Sequence, residues 1–330
     1  MNVALVGAGR IGRLHARLLS ELPDVALTVS DVDAARAVEV AAAVGARALD
    51  LDAAIAGAEA LVIAAATDAH APLIRRGIAA GLPTFCEKPL AADLESTIAI
   101  AAEVAASGIP FQIGFQRRFD PGYAEARRML SSGELGTLYA FRLAGHDPAP
   151  PHEAYIPVSG GLFRDFSIHD FDVIRWLTGN EVVEVYAIGA VRGFPVFAKY
   201  NDVDTAAVTL TMSDGAVGVM TVARHDPLGY DIRAELFGSQ DSISVGLGPQ
   251  TPMRSVEPGV PPPAGPAWRD FLVRFESAYR LEFEAFALVA RGEIATPCSA
   301  ADGLAAIRIA DAATRSLHEH RPVRLDEIPR

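Results

Sequence analysis

From Asn2 to about Phe115, short apolar runs rich in β-branched residues alternate with alanine-rich helical patterns. The runs are Val3–Val6, Ala26–Val29, Ala60–Ala65, Pro83–Cys86 and Ile109–Ile113; the helical stretches are Arg10–Ser20, Asp33–Val44, Ala71–Ala80 and Asp93–Ser107. A strand that is apolar along its whole length must be buried on both faces, so the alternation predicts βαβ units and a Rossmann-type doubly wound parallel sheet. Asp93 is placed to cap the last helix and Gly108 to end it.

From about Thr137 the strand-like runs follow one another directly: Thr137–Ala144, Val182–Val191, Thr205–Met212, Ala216–Ala223, Ile232–Gly238 and Ser242–Val245, with a helix from about Ser167 to Leu177 inserted. Asp214-Gly215 and Ser239-Gln240-Asp241 are turn signals between neighbouring runs. This predicts an α+β domain with a large, mostly antiparallel open sheet. A proline-rich stretch (249–266), taken as an ordered connector or an oligomer contact, leads to helices near Ser277–Ala290 and Ala300–Ser316. The expected division is 1–120 and 121–330, with the C-terminal helices as candidates to pack back on the first domain.

Composition narrows the function classes. With 29 Lys plus Arg against 41 Asp plus Glu, the net charge is −12, which argues against nucleic acid and anionic membrane surfaces as partners. No charge-free apolar run approaches the roughly 18 residues of a membrane span. Two cysteines, Cys86 and Cys298, form no disulfide scaffold and suit a cytoplasmic protein.

The first strand runs into Gly7-Ala8-Gly9-Arg10-Ile11-Gly12. Alone, G-x-G-x-x-G is a weak signal; between a strand and a helix it gains meaning. Gly7 permits the tight turn, Gly9 lets backbone approach a pyrophosphate, and Gly12 lets the helix pack close, while Arg10 and Ile11 open the helix whose N-terminus faces the phosphates. Asp31 ends the second strand 19 residues after Gly12, near the spacing of about 20 expected for a ribose-binding acid. With Val32 rather than an arginine following, NAD is favoured over NADP, although Arg36 is close by. The same residues would also fit helix-capping glycines and a capping aspartate.

Two further constellations stand out. Cys86-Glu87-Lys88-Pro89 ends a strand at the carboxyl edge of the predicted sheet, with Pro89 fixing the backbone direction, a cis bond included. Read in isolation, Lys88 fits a solvated surface lysine as well as a donor to a substrate oxygen. In Gly160–Asp172, Asp165 and His169 are four apart and would share a helical face, with Ser167 or Asp165 capping that helix. A helix N-terminus disfavours the protonated imidazole and a carboxylate favours it, a balance suited to a general base. A capping aspartate with a histidine packed on Trp176 or Phe171 fits equally.

Together, residues 7–16, 66–70 (A-T-D-A-H), 86–89 (C-E-K-P), 114–121 (G-F-Q-R-R-F-D-P) and 160–172 resemble the Gfo/Idh/MocA oxidoreductase family, most of all its bacterial inositol 2-dehydrogenases. The likeness spans nearly the whole chain, including Gly229–Arg233 and Gly238-Ser239. E-K-P and the long glycine-to-HDFD motif are specific; G-x-G-x-x-G is not. The resemblance implies an NAD-dependent dehydrogenase that oxidises a secondary alcohol of a cyclic polyol, with myo-inositol foremost and another inositol isomer or an aldose as the alternative. It implies that Lys88 anchors the reacting hydroxyl and that Asp165 and His169 handle its proton. Thr67, His70 and Glu87 would line the cofactor side, and Gln116, Arg118, His146, Tyr155 and Tyr230 the substrate side. Lys88, Arg117, Arg118 and Arg164 would supply local positive potential. It also implies a homo-oligomer, a tetramer by family likeness. Gln116 stands where inositol members usually show asparagine, and His146 where a different residue is common, which bears on substrate identity. A non-catalytic NAD-binding sensor would be expected to lack Lys88 or His169; both are present.

Overall fold

Strand and helix alternate through the first third of the chain: β1 (Asn2–Val6), α1 (Arg10–Ser20), β2 (Ala26–Ser30), α2 (Ala34–Ala43), β3 (Arg47–Ala48), α3 (Leu51–Ala56), β4 (Ala60–Ile63), α4 (Thr67–Ala80), β5 (Thr84–Glu87), α5 (Leu94–Ser107) and β6 (Phe111–Gly114). The computed structural model describes all 330 residues. The six strands are parallel, in the order β3-β2-β1-β4-β5-β6. Strand order therefore reverses between β1 and β4, where a doubly wound sheet opens a crevice at its carboxyl edge. β4 and β6 are buried along their whole length, as a sheet covered on both faces requires. β3 and α3 are too short to show a period, which is why no apolar pattern marks them.

The second part of the chain begins with α6 (Pro121–Ser132), whose N-terminus is capped by the Asp120 carboxylate accepting N–H bonds from Gly122 and Tyr123. No apolar period marks this helix, yet Asp120-Pro121 is the cap-plus-proline signature of a helix start. β7 (Leu138–His146), α7 (Ile168–Thr178), β8 (Val182–Ala190), β9 (Thr205–Met212), β10 (Val217–Ala223), β11 (Asp231–Gly238) and β12 (Ser242–Val245) follow. Then come α8 (Phe271–Arg274), α9 (Glu276–Ala290), α10 (Ala300–Glu319) and β13 (Val323–Arg324). The sheet order is β12-β11-β7-β10-β9-β8-β13, antiparallel except for the β7–β10 pair. Asp214-Gly215 turns β9 into β10, and Ser239-Gln240-Asp241 turns β11 into β12. The proline-rich stretch is tied down by backbone bonds, from the Gly265 N–H to the Pro249 carbonyl and from the Tyr230 N–H to the Trp268 carbonyl.

The chain forms two compact units: Met1–Phe119 with Glu276–Ala305, and Asp120–Phe275 with Ala306–Arg330. The C-terminal helices, expected with the second domain or folded back on the first, are thus divided between the units. In the first unit Phe283 and Phe286 of α9 pack on Phe85 of β5, with ring centroids 5.0 and 5.7 Å apart. In the second, alternate residues of β9 and β10 are buried while Tyr186, Ile188, Val217 and Val219 are exposed on the opposite phase. No helix is long and apolar enough to cross a membrane.

One buried carboxylate organises the approach to β9. Asp204 accepts N–H bonds from Arg192, Gly193 and Phe194 at 2.7–2.8 Å and the Thr205 hydroxyl at 2.9 Å. Burial alone would raise its pKa; the three N–H donors outweigh that and hold it below the usual value. A depressed folded-state pKa contributes stability above the unfolded value that is lost as pH falls through the folded one. Asp204→Ala should therefore cost about 2–3 kcal/mol near neutrality. Melting curves of both proteins should converge on acidification; a pH-independent gap would contradict this.

Candidate active site

In the first unit the glycine loop leaves β1 at Val6, and Gly7 takes φ +104°, a left-handed turn that side chains avoid. A Cβ on Gly12 would overlap the Gly7 carbonyl oxygen, so α1 approaches the loop more closely than any other residue allows. At Gly9 a Cβ would meet nothing within 4 Å, so the loop's face there is open. The N-terminus of α1 has no side-chain cap and no acid in its first turn. Such an end suits an anion, because no acid of its own first turn offsets the positive end of the helix dipole. Asp31, just past β2, accepts the Ala8 N–H at 2.7 Å with Oδ2 and the Asp33 N–H at 2.8 Å with Oδ1. It thereby ties the glycine loop to the end of β2. Arg36 lies 3.6 Å from Asp31, and the next residue, Val32, is fully exposed. These residues fit a dinucleotide: an open loop for the phosphates beside a carboxylate for the ribose.

The Glu87-Lys88-Pro89 turn follows β5, with the Lys88–Pro89 bond cis. Two buried histidines brace it. His15 of α1, wholly buried, brings Nε2 to 2.6 Å from Glu87 Oε1, its ring caged by Phe85, Tyr279 and Phe283. His70 of α4 brings Nδ1 to 2.6 Å from the Pro89 carbonyl and Nε2 to 3.1 Å from the Ala65 carbonyl. Burial pushes the His70 pKa down, and a neutral ring with one N–H gives its proton to the shorter contact. His70 and Glu87, expected against the cofactor, therefore hold the backbone on either side of half-buried Lys88. Thr67 sits half-buried at the first position of α4, in the crevice where strand order reverses. Gln116 is buried, and Arg118 is committed to the Pro297 carbonyl at 2.9 Å and to Asp302 at 3.0 Å.

In the second unit the helical chain begins earlier than the spacing suggests. Phe163–Ser167 is a π-helical turn running into α7, and Ser167 has helical dihedrals with no side-chain cap bond. Neither Ser167 nor Asp165 caps the helix. The cap comes from Asp202, whose carboxylate accepts the Leu162 N–H at 3.1 Å. The positive end of the dipole thus lies farther from His169 than a start at Ser167 would put it. Asp165 Oδ1 accepts the Tyr155 hydroxyl at 2.9 Å, and Asp165 Oδ2 lies 2.8 Å from Arg224 Nη1. The same nitrogen is 3.6 Å from Asp147 Oδ2. Burial, the Asp165 charge and this bond push the Tyr155 phenol up, so it is a donor. His169 is half-buried on α7.

His146 Nε2 contacts the Thr221 hydroxyl at 3.1 Å, and its Nδ1 is 3.8 Å from Asp226 and Asp231. Asp231 is already gripped by Arg233 through both oxygens, at 2.7 and 2.9 Å. Tyr230 is buried edge-on against Phe275, and Arg164 pairs with Asp311 at 2.6 Å. Arg118 and Arg164 are thus held by acids; the α1 terminus remains as a source of positive potential.

Arg224 and His15 belong to these constellations although no motif points to them. Their signal is phase. Arg224 extends the buried alternation Gly218-Met220-Val222, and His15 shares the buried face of α1 with Gly12, Leu18 and Leu19. A charged or polar residue on a buried phase must have a partner.

Residues 1–115 match the model of an oxidoreductase family with an NAD-binding Rossmann fold, and residues 123–244 match the GFO/IDH/MocA C-terminal domain. The chain is 40% identical to the myo-inositol dehydrogenase Hyg17 of Streptomyces leeuwenhoekii, over 96% of this chain and 97% of that protein. It is 37% identical to the inositol 2-dehydrogenase of Rhizobium meliloti (strain 1021), over 98% of each. Its fold matches the crystal structure of scyllo-inositol dehydrogenase from Lactobacillus casei with bound NAD(H) and scyllo-inositol, with a TM-score of 0.89, 27% identity and 99% of each chain covered.

Asp31→Ala removes both the carboxylate expected to accept the ribose hydroxyls and the tie to Ala8. It should narrow the ratio of kcat/KM with NAD to that with NADP while weakening both cofactors, as measured by steady-state kinetics. An unchanged ratio would refute the ribose role.

Proposed function

The chain belongs to the GFO/IDH/MocA family of NAD-binding oxidoreductases, and on that premise we propose that it oxidises a secondary alcohol of a cyclic polyol, with myo-inositol, converted to 2-keto-myo-inositol (scyllo-inosose), as the first-choice substrate. The observation that carries this reading is the carboxyl edge of the parallel sheet in the first unit. There the open glycine loop after β1 and the doubly braced Lys88 turn after β5 belong to one edge. Relatives named as inositol dehydrogenases align over 96% and 98% of the chain, which supports the substrate class.

Gly7, Gly9, Arg10, Ile11, Gly12, Asp31 and Thr67 are the residues that would hold NAD, which when bound supplies the hydride acceptor. Lys88 donates a hydrogen bond to the oxygen of the reacting hydroxyl. His169 takes that hydroxyl's proton, and Asp165 orients the imidazole and stabilises its charged form. Tyr155 and His146 recognise neighbouring hydroxyls, with Gln116 and Tyr230 on the same substrate side; Arg118 acts through the Pro297 carbonyl and Asp302, which it holds. The two free, buried cysteines suit a reducing cytoplasm.

The test is a panel of myo-inositol, scyllo-inositol, other isomers and aldoses with NAD, followed by NADH absorbance. The highest kcat/KM should fall to myo-inositol. Lys88→Ala and His169→Ala should each lose about 100-fold or more of turnover while NADH affinity stays nearly constant. Wild-type turnover in either variant would sink the assignment of roles, and an aldose preference would replace the substrate.

We also propose that the protein is a homo-oligomer, a tetramer by family likeness, joined through the outer face of the second unit's sheet. Tyr186, Thr209, Val219 and Arg142 lie in register across β8, β9, β10 and β7 on that face. An open sheet with tyrosine and valine on its solvent side needs cover. Light scattering should give a multiple of the 34.9 kDa chain, and Ile188→Lys with Val219→Lys should lower it. A wild-type monomer at micromolar concentration would contradict the proposal.

A further inference from the structure

β10 presents Gly218, Met220 and Val222 to the interior of its unit, and the next residue in that phase is Arg224, only 2% exposed. A guanidinium buried alone is costly, and removing one partner of a buried pair leaves an uncompensated charge. The cation here faces three carboxylates. Asp165 is in direct contact at 2.8 Å, Asp147 is at 3.6 Å, and the charge of Asp202 also acts on it. On the far side of Asp165 the Tyr155 hydroxyl holds the other oxygen at 2.9 Å. Both oxygens of Asp165 are therefore committed to donors, and both bonds favour its ionised form.

We propose that Arg224 is a positioning residue for the reaction: it fixes Asp165 as a carboxylate in one orientation, so that His169 rather than Asp165 receives the substrate proton. Asp147 offsets part of the Arg224 charge and so sets how strongly this bias acts. The proposal rests on the assignment of Asp165 and His169 to proton handling. In an isolated aspartate–histidine pair four residues apart, either member can carry a proton. A cation on the carboxylate, held in a water-poor interior, removes that ambiguity. The other charged and titratable groups nearby are His146 at the end of β7, with Asp226 and Asp231 each 3.8 Å from its Nδ1, and Asp170 of α7 beside Gly145.

The sign of the effect distinguishes positioning from mere support. Loss of the cation raises the proton affinity of both Asp165 and His169, so in Arg224→Gln the acid limb of kcat/KM for the polyol should move up by about one pH unit or more. Arg224→Lys, which keeps the charge, should leave the limb near its wild-type position. Asp147→Asn removes a negative charge, so its limb should move down, the opposite direction; this variant carries the test if Arg224→Gln does not fold. An Arg224 that is only structural would lower thermal stability in both arginine variants with the limb unmoved, and that result, or an upward shift in Asp147→Asn, overturns the proposal. Asp165→Asn and His169→Ala serve as controls: full turnover in both would overturn the assignment of the pair, and this inference with it.

Discussion

A parallel sheet of strands that are apolar on both sides has to be covered twice, and the first unit is shaped by that demand. β4 and β6 leave no polar phase to turn toward water. The chain answers locally with α1 to α5 and then, more than 150 residues later, with α9, whose Phe283 and Phe286 close over Phe85. The same cover encloses His15, so the aromatic cluster that stabilises the sheet also sets the surroundings of the bond to Glu87. Packing and the candidate chemistry thus share side chains in this unit.

Buried polar groups recur as positioning devices. His15 and His70 grip the two sides of the Lys88 turn, Arg224 grips Asp165, Asp202 caps the π turn, and Asp204 gathers three N–H groups ahead of β9. Each is a polar group whose cost of burial is offset only in one geometry, which gives orientation rather than net stability. The residues expected to act on ligands are presented by these buried ones.

Much of this was legible in the sequence, and the exceptions have physical reasons. Apolar periodicity marked the strands of both sheets and the Rossmann helices because burial imposes a period of 2 or 3.6. It did not mark β3, α3, α8 and β13, which are too short, or α6, which shows itself only in the Asp120-Pro121 start. The glycine loop, Asp31 and Lys88 lie in local motifs, which spacing alone can pick out as candidates. Arg224 and Asp202 work at a distance, 59 and 40 residues from the groups they touch, and no local spacing encodes such a contact. The cap of α7 was misplaced for the same reason: Ser167 looks like a cap in sequence, whereas the capping carboxylate belongs to another loop.

Asp31 constrains how such a protein can diverge. Its two oxygens already serve the Ala8 and Asp33 N–H groups, so the residue proposed to favour one dinucleotide also closes the glycine loop. A lineage drifting toward a phosphorylated cofactor could not simply delete the acid. It would have to keep one acceptor for the Ala8 N–H and another for the Asp33 N–H. Asparagine, with a single carbonyl oxygen beside an N–H donor, replaces only one of them while Arg36 is released toward the new phosphate. The accessible evolutionary route is therefore narrow, and it is set by two backbone amides rather than by the cofactor itself.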